Sequence, residues 1–159
     1  MTKTKPRLAI CICLLVVLLA FIWGNSMTPG NVSGEMSGWV SRLIGKLLPF
    51  LSPESEHGHW IVRKIAHFSE FAVLGALFTW LFAMLMDRKF LLIFLPLGCG
   101  MVCAIIDEFI QLFSPGRVCS FFDMCIDWSG VLTGLLLMML TCLFIGRKRR
   151  KNENHPFFL

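Results

Sequence analysis

The stretch "FLLIFLPLGCGMVCAIIDEFIQLFSPGR", residues 90–117, decides the fold. Its first part, residues 90–106, carries no charged side chain, and Asp107 and Glu108 follow directly. An apolar run of this length crosses the roughly 30 Å hydrocarbon layer of a bilayer as a helix. Inside lipid the helix satisfies every backbone hydrogen bond. We therefore predict a membrane span over about 90–113 whose last two turns carry polar groups.

Three further apolar segments flank this one, over about 8–23, 65–86 and 123–145. Of the 159 residues, 56% are hydrophobic and 16% are charged, a composition that indicates a membrane environment. Four spans nearly exhaust a sequence of this length and leave no room for a soluble catalytic domain. The first segment has the basic flank of a signal peptide, but no A-x-A cleavage site follows it, so we predict a retained helix. The fold class predicted is an all-α membrane protein with four transmembrane helices, built as a single domain over residues 1–159.

The long connection between the first two spans has two parts. Residues 24–38 are rich in Gly, Ser, Asn and Pro, which is typical of a loop. Residues 39–51 place Trp39, Leu43 and Leu47 on one helical face and are too short to span. We predict an interfacial amphipathic helix there, lying on the membrane surface within the first outer loop.

The distribution of basic residues predicts the orientation. With four spans, the N-terminus, the turn at 87–89 and the tail at 146–159 lie on one side and hold ten of the fifteen Lys and Arg residues. The positive-inside rule places that side, with both termini, in the cytoplasm. The net charge of +5 is therefore a topology signal and does not indicate a nucleic-acid partner.

The seven cysteines form no CxxC pair and no zinc-like spacing. Most lie in apolar runs, where a free thiol packs as a small hydrophobic group. Cys119 and Cys125 are close enough in sequence to permit a disulfide, but the spacing alone does not favour one.

The ionisable residues of the last three spans are all at the predicted outer ends. At 1.5 Å per residue they lie within roughly 10 Å of the outer boundary. They are His67 and Glu70 in the second span, Asp107 and Glu108 with Gln111 in the third, and Asp123 and Asp127 in the fourth.

Helical phase directs these groups into the bundle. Asp107 and Gln111 share a face with Gly100, and Asp127 shares one with Gly130 and Gly134; small residues mark where membrane helices approach closely. One reading is a polar lock that only fixes helix order. Because each charge at membrane depth costs about 2.5–3.5 kcal/mol, so many in one layer favour a ligand or catalytic site.

Three stretches carry a resemblance: "RKIAHFSEFAVLG" at 63–75, "DEFIQLFSPGR" at 107–117 and "SFFDMCIDWSGVLTG" at 120–134. Together they resemble the VanZ-like family of small bacterial membrane proteins. Two positions depart from the family pattern, Asp127 in place of a frequent Asn and Phe71 in place of a frequent Tyr. The residues that match the pattern are Lys64, His67, Phe68, Asp107, Glu108, Gln111, Arg117, Asp123, Gly130 and Gly134.

The resemblance implies a protein of the bacterial cytoplasmic membrane, and the family's namesake is linked to low-level resistance to teicoplanin. The expected partner is a membrane lipid or a lipid-linked cell-envelope intermediate with an anionic headgroup. Arg117 and Lys64 would hold phosphate or carboxylate, with Arg117 in bidentate fashion. Gln111 would orient the ligand, and Asp123 and Asp127 complete the ligand-binding set.

Whether a reaction is catalysed stays open at this point. In an enzyme, His67 beside Asp107 or Glu108 would transfer protons. A divalent cation on Asp107, Glu108 and Asp123 is a further option, since hard oxygen ligands suit Mg²⁺ or Ca²⁺. The alternative is a non-enzymatic accessory protein that binds a lipid or a protein partner and whose charged layer is structural.

Overall fold

A computed structural model of the chain describes residues 4–46 and 58–153. Two parts of the predicted organisation, the end of the interfacial segment at 47–51 and the last tail residues 154–159, lie outside these ranges. The described residues contain no strand. They form five helices: α1 (Thr4–Ser26), α2 (Gly30–Gly45), α3 (Gly58–Leu85), α4 (Leu91–Gln111) and α5 (Phe121–Glu153).

Four of these helices are long and apolar enough to cross a membrane, which confirms the predicted fold class. Their apolar parts run over Lys5–Ser26, Trp60–Leu85, Leu91–Gln111 and Phe121–Phe144. At 1.5 Å per residue each exceeds the roughly 30 Å of a hydrocarbon core. Two ends differ most from prediction. α3 begins at Gly58, before the predicted start, and α5 continues to Glu153 through the basic segment, where Lys and Arg are good helix formers.

The prediction of a loop over residues 24–38 is wrong. α1 continues to Ser26, and α2 begins at Gly30. Gly and Ser are poor helix formers, so composition indicated a loop. Contacts from elsewhere in the fold decide otherwise: the Gly30 N–H donates to the Pro115 carbonyl (2.9 Å), and α2 packs against α3.

The predicted interfacial helix is the second half of α2. Trp39 and Leu43 lie on the same side, and their side chains are 62% and 57% exposed. Two large apolar side chains turned away from the protein suit a membrane surface. That contact stays a prediction.

α3 is the central helix and contacts each of the other four. Its approach to α5 is closest at glycines: a Cβ added at Gly130 would lie 2.5 Å from the Phe68 carbonyl oxygen. Gly75 and Gly134 also meet backbone of the facing helix, which confirms the predicted small-residue contact face. The buried core beside this contact is Cys11, Leu15, Ile22, Phe71, Leu74, Cys103, Ala104 and Val131.

Two of the cysteines are packing groups in the core. Cys11 and Cys103 are buried in the core, and all seven cysteines are free thiols. Cys119 and Cys125, whose spacing permitted a disulfide, are therefore not bonded to each other in this structure.

Candidate functional site

The polar residues predicted to converge do so at one end of the helix bundle, which we call the site end. α1 and α4 finish there, α3 and α5 begin there, and the loop at 112–120 closes it. Hydrogen bonds and ion pairs join α1 to α4, α3 to α4 and α3 to α5 across this end. Their roles in binding or catalysis stay predictions.

Asp107 lies at the centre and is fully buried. Its Oδ1 accepts a hydrogen bond from the Ser26 hydroxyl (2.6 Å), and its Oδ2 accepts one from Gln111 Nε2 (2.9 Å). Gln111 lies four residues later on the same helix, a spacing that brings the two side chains together. The buried carboxylate is thus held in place by two donors.

Glu108 is engaged on both of its oxygens. Oε2 accepts a hydrogen bond from the Ser120 backbone N–H (2.7 Å), and Oε1 accepts one from Gln111 Nε2 (3.2 Å). Ser120 directly precedes α5, so Glu108 caps the N-terminus of that helix, where a negative charge is favourable. Both carboxylate oxygens of Glu108, predicted as a catalytic group, therefore have hydrogen-bond partners within the fold.

Lys64 and Asp123 form an ion pair that joins the starts of α3 and α5. The Lys64 ammonium also lies 5.4 Å from the centre of the Trp60 ring. A ligand anion would therefore have to compete with Asp123 for Lys64. Of the three residues named as possible ligands of a divalent cation, Asp123 pairs with Lys64 and Glu108 accepts from the Ser120 N–H. A cation held by these two residues and Asp107 stays a prediction.

His67 faces two other carboxylates. Its Nδ1 is 3.6 Å from Asp127 Oδ1 and 3.9 Å from Asp107 Oδ2, distances too long for hydrogen bonds. Asp127 is 1% exposed, and neither of its oxygens has a hydrogen-bond partner among the residues that the structure describes. Ligand atoms of His67, Asp107 and Asp127 lie within 4.8 Å of one another.

Two guanidinium groups, from Arg117 and Arg63, lie beside this cluster. Arg117 Nη2 donates to the Asn25 carbonyl (3.2 Å) and to Thr28 Oγ1 (3.3 Å). Arg63 Nη2 is 3.5 Å from Gln111 Oε1, at the limit of a hydrogen bond. Arg117 Nε and Nη1 and Arg63 Nε are buried without a partner among the described residues.

Arg117 lies in the 112–120 loop, outside the membrane-spanning helices, and its surroundings act on the pKa of its guanidinium. Burial lowers the pKa of its guanidinium from the ordinary value, and the positive charge of Arg63 lowers it further. Nearby carboxylates, Asp107 first, act in the opposite direction. An arginine remains protonated under all ordinary conditions. The lowered pKa therefore means that burying this cation is energetically unfavourable.

A cavity of about 280 Å³ opens between α1, α2, α3 and the 112–120 loop. Its lining is partly apolar, from Phe21, Met36, Val40, Val62 and Ala66. The polar residues of the lining are Asn25, Thr28, Ser33, Arg63, His67, Glu70 and Arg117. The cavity therefore joins an apolar surface to cationic groups.

Some of these residues were absent from the predicted site. Arg63 shares a face of α3 with His67 and Glu70 at spacings of four and three, a signal that was available in the sequence. Asn25 and Thr28 fall in the segment interpreted as a loop, and no pattern marks them. Of the predicted ligand-binding residues, only Arg117 lines the cavity.

Comparison with known proteins completes the description. No curated protein and no solved structure matches the chain. A family model described as VanZ/LLP1 matches residues 11–144. Since that range covers most of the chain and includes every residue of the candidate site, the chain belongs to the VanZ-like family.

Proposed function

We propose that the protein binds the anionic headgroup of a membrane lipid or lipid-linked cell-envelope intermediate in the 280 Å³ cavity. The observation that carries the proposal is the pair of guanidinium groups, from Arg63 and Arg117, in the lining of a cavity that apolar side chains also line. Such a lining suits an amphiphile, whose phosphate or carboxylate would meet the guanidinium groups and whose acyl or prenyl chain would meet the apolar side chains.

The unpartnered N–H groups support an anionic ligand. A buried donor without an acceptor costs about 1–3 kcal/mol, and more when it belongs to a charged group. Arg117 presents Nε and Nη1 in this state, and Arg63 presents Nε. A phosphate oxygen would accept from these donors, and guanidinium–phosphate pairs are often bidentate.

The cavity wall also contains one acid, Glu70, whose Oε1 is 3.4 Å from Asn25 Nδ2. Two guanidinium groups against one carboxylate leave a net positive wall. A headgroup that combines phosphate with an amine would satisfy both signs, and a plain phosphate would satisfy the cations alone.

The basic residues support an outward-facing site. The site end contains Arg63, Lys64 and Arg117, whereas ten of the fifteen basic residues belong to the chain ends and the turn at 87–89. By the positive-inside rule those ten face the cytoplasm. The cavity would then face the cell envelope, where a bound lipid-linked intermediate could alter the access of glycopeptides such as teicoplanin.

A second candidate is an accessory protein that binds without catalysis, or whose charged layer only fixes helix order. Two observations favour it: Lys64 is paired with Asp123, and Glu108 caps α5. His67 favours an enzyme instead, because it lines the cavity and lies 3.9 Å from Asp107. His67→Gln should abolish turnover in an enzyme but leave lipid binding largely intact.

Mass spectrometry of the lipids retained by gently purified protein tests the binding proposal. We expect wild type to retain an enriched anionic lipid that Arg117→Ala and Arg63→Gln lose. Arg63→Gln is the milder change, since Arg63 makes a single long contact of 3.5 Å. Arg88→Ala is the matched control, because Arg88 is exposed in the α3–α4 turn.

One result would contradict the proposal. If the wild-type protein, both cavity variants and Arg88→Ala all carry the same mixture of lipids, the guanidinium groups select no headgroup. The function would then be sought in a protein partner.

A further inference from the structure

The carboxylate of Asp127 is the least satisfied group in the site. It is 1% exposed and accepts no hydrogen bond from any described residue on either oxygen. An ionised carboxylate in such a position is strongly unfavourable unless a cation compensates it. Lys64, a cation of the site end on the neighbouring helix α3, is paired with Asp123.

Two other side chains face the same point as Asp127. His67 Nδ1 is 3.6 Å from Asp127 Oδ1 and 3.9 Å from Asp107 Oδ2. A tetrahedral Zn²⁺ ion with bonds of about 2.0–2.2 Å holds its ligand atoms about 3.3–3.6 Å apart. The three ligand atoms lie within 4.8 Å of one another, so side-chain movements of roughly 1 Å would bring them to these separations.

The surroundings resemble those of a metal site. Protein ligands to metals are usually fixed by hydrogen bonds from outer partners. Asp107 accepts from Ser26 and from Gln111, so its carboxylate is already oriented. The three residues belong to three different helices, α3, α4 and α5. A bound ion would therefore cross-link these helices.

The charge of the site end also fits one divalent cation. With every carboxylate ionised and His67 neutral, five acids face three permanent cations, which leaves two negative charges. The acids are Glu70, Asp107, Glu108, Asp123 and Asp127, and the cations are Arg63, Lys64 and Arg117. A single ion of charge +2 would neutralise the cluster.

We propose that His67 Nδ1, Asp107 and Asp127 bind a divalent transition-metal cation of the Zn²⁺ or Mn²⁺ type. An imidazole nitrogen among the ligands favours these ions over Mg²⁺ and Ca²⁺, which take oxygen ligands. Three protein ligands leave a coordination position open, as in catalytic metal sites. This cation site does not depend on lipid binding in the neighbouring cavity.

The first test is the metal content of the intact protein, purified through a tag without histidines and measured by inductively coupled plasma mass spectrometry. We expect about one equivalent of a transition metal in wild type. Asp127→Asn keeps the shape of the side chain but removes the ligand charge, and His67→Gln removes the nitrogen ligand. Both should lose the metal, and Asp87→Asn, an acid-to-amide change in the exposed α3–α4 turn away from the site end, should retain it.

The second test uses protein stripped with a chelator and titrated with ZnCl₂, MnCl₂ or MgCl₂. At a Zn²⁺ concentration 100 times its Kd we expect Tm to rise by about 5–10 °C. Asp127→Asn should lower the affinity for Zn²⁺ by more than the roughly 10–100-fold that follows the loss of a residue that only hydrogen-bonds a metal ligand.

Three results would overturn the proposal. The first is a wild-type protein without metal whose Tm responds to none of the three salts. The second is metal retained by Asp127→Asn and His67→Gln as it is by wild type, which would locate the ion elsewhere. The third is a response to Mg²⁺ alone, which would refute a transition-metal site.

Discussion

Gly130→Ala should test the close packing of α3 on α5. A Cβ at Gly130 would lie 2.5 Å from the Phe68 carbonyl oxygen and 3.1 Å from the Phe71 Cβ. Ordinary contact begins at 3.4 Å, so the two helices must separate locally by about 0.9 Å. Overpacking of this kind costs about 1–3 kcal/mol.

Gly98→Ala is the matched control. Gly98 is also inside a membrane helix, and a Cβ there meets nothing within 4 Å. Both variants gain the same helix preference of Ala over Gly, about 0.5–1 kcal/mol. The difference between them therefore isolates the packing effect, about 1–3 kcal/mol, or roughly 2–12 °C in Tm for a chain of this size.

Thermal unfolding in detergent, followed by tryptophan fluorescence, measures this difference. The same separation would move Asp127, one turn before Gly130, away from His67, one residue before Phe68. The His67–Asp127 distance of 3.6 Å would lengthen, so Zn²⁺ affinity should fall together with Tm. Equal Tm values for the two alanine variants would refute the close contact between α3 and α5.

Three further predictions concern single contacts. Glu108→Ala should remove the acceptor of the Ser120 N–H, a charged hydrogen bond of about 1.5–3 kcal/mol, and so lower Tm by roughly 3–12 °C. Glu108→Gln should lower Tm less, and an unchanged Tm in the alanine variant would contradict the cap. Ser26→Ala should lower the free energy of unfolding by about 1.5–3 kcal/mol, because it removes the 2.6 Å hydrogen bond to Asp107. A double-mutant cycle with Asp107→Asn should show coupling, and additive effects would argue against that hydrogen bond. Arg117→Lys should reduce retained anionic lipid about tenfold, because lysine keeps the charge but cannot pair in bidentate fashion; full retention by the lysine variant would mean that charge alone suffices.

The span pattern and the contact face of α5 could be predicted because both are local properties of the sequence. An apolar run of fixed length predicts a membrane helix whatever its neighbours are. Gly130 and Gly134 mark a close approach because a larger side chain would prevent it. The convergence of Asp107, His67 and Asp127 followed from the alternating directions of the spans.

The parts that could not be predicted depend on contacts between distant segments. α2 begins with residues that disfavour a helix. Its first residue, Gly30, is held by a hydrogen bond to Pro115 in the 112–120 loop, a contact that the local sequence does not reveal. The pairings within the polar layer, Lys64 with Asp123 and Glu108 with Ser120, depend on the rotation of each helix by a fraction of a turn. Periodicity gives the face of a helix, but not which neighbour each side chain meets.

The junction of Gly30 with Pro115 also determines how the cavity can change its shape. The hydrogen bond fixes the first residue of α2 beside the loop that carries Arg117. A widening of the cavity that keeps this bond must pivot α2 about its first turn, which displaces Val40 much more than Gly30. Arg63 and Arg117 would keep their positions while the apolar residues of α2, Met36 and Val40, move. The cavity would therefore select a ligand by its headgroup and accept apolar tails of different size.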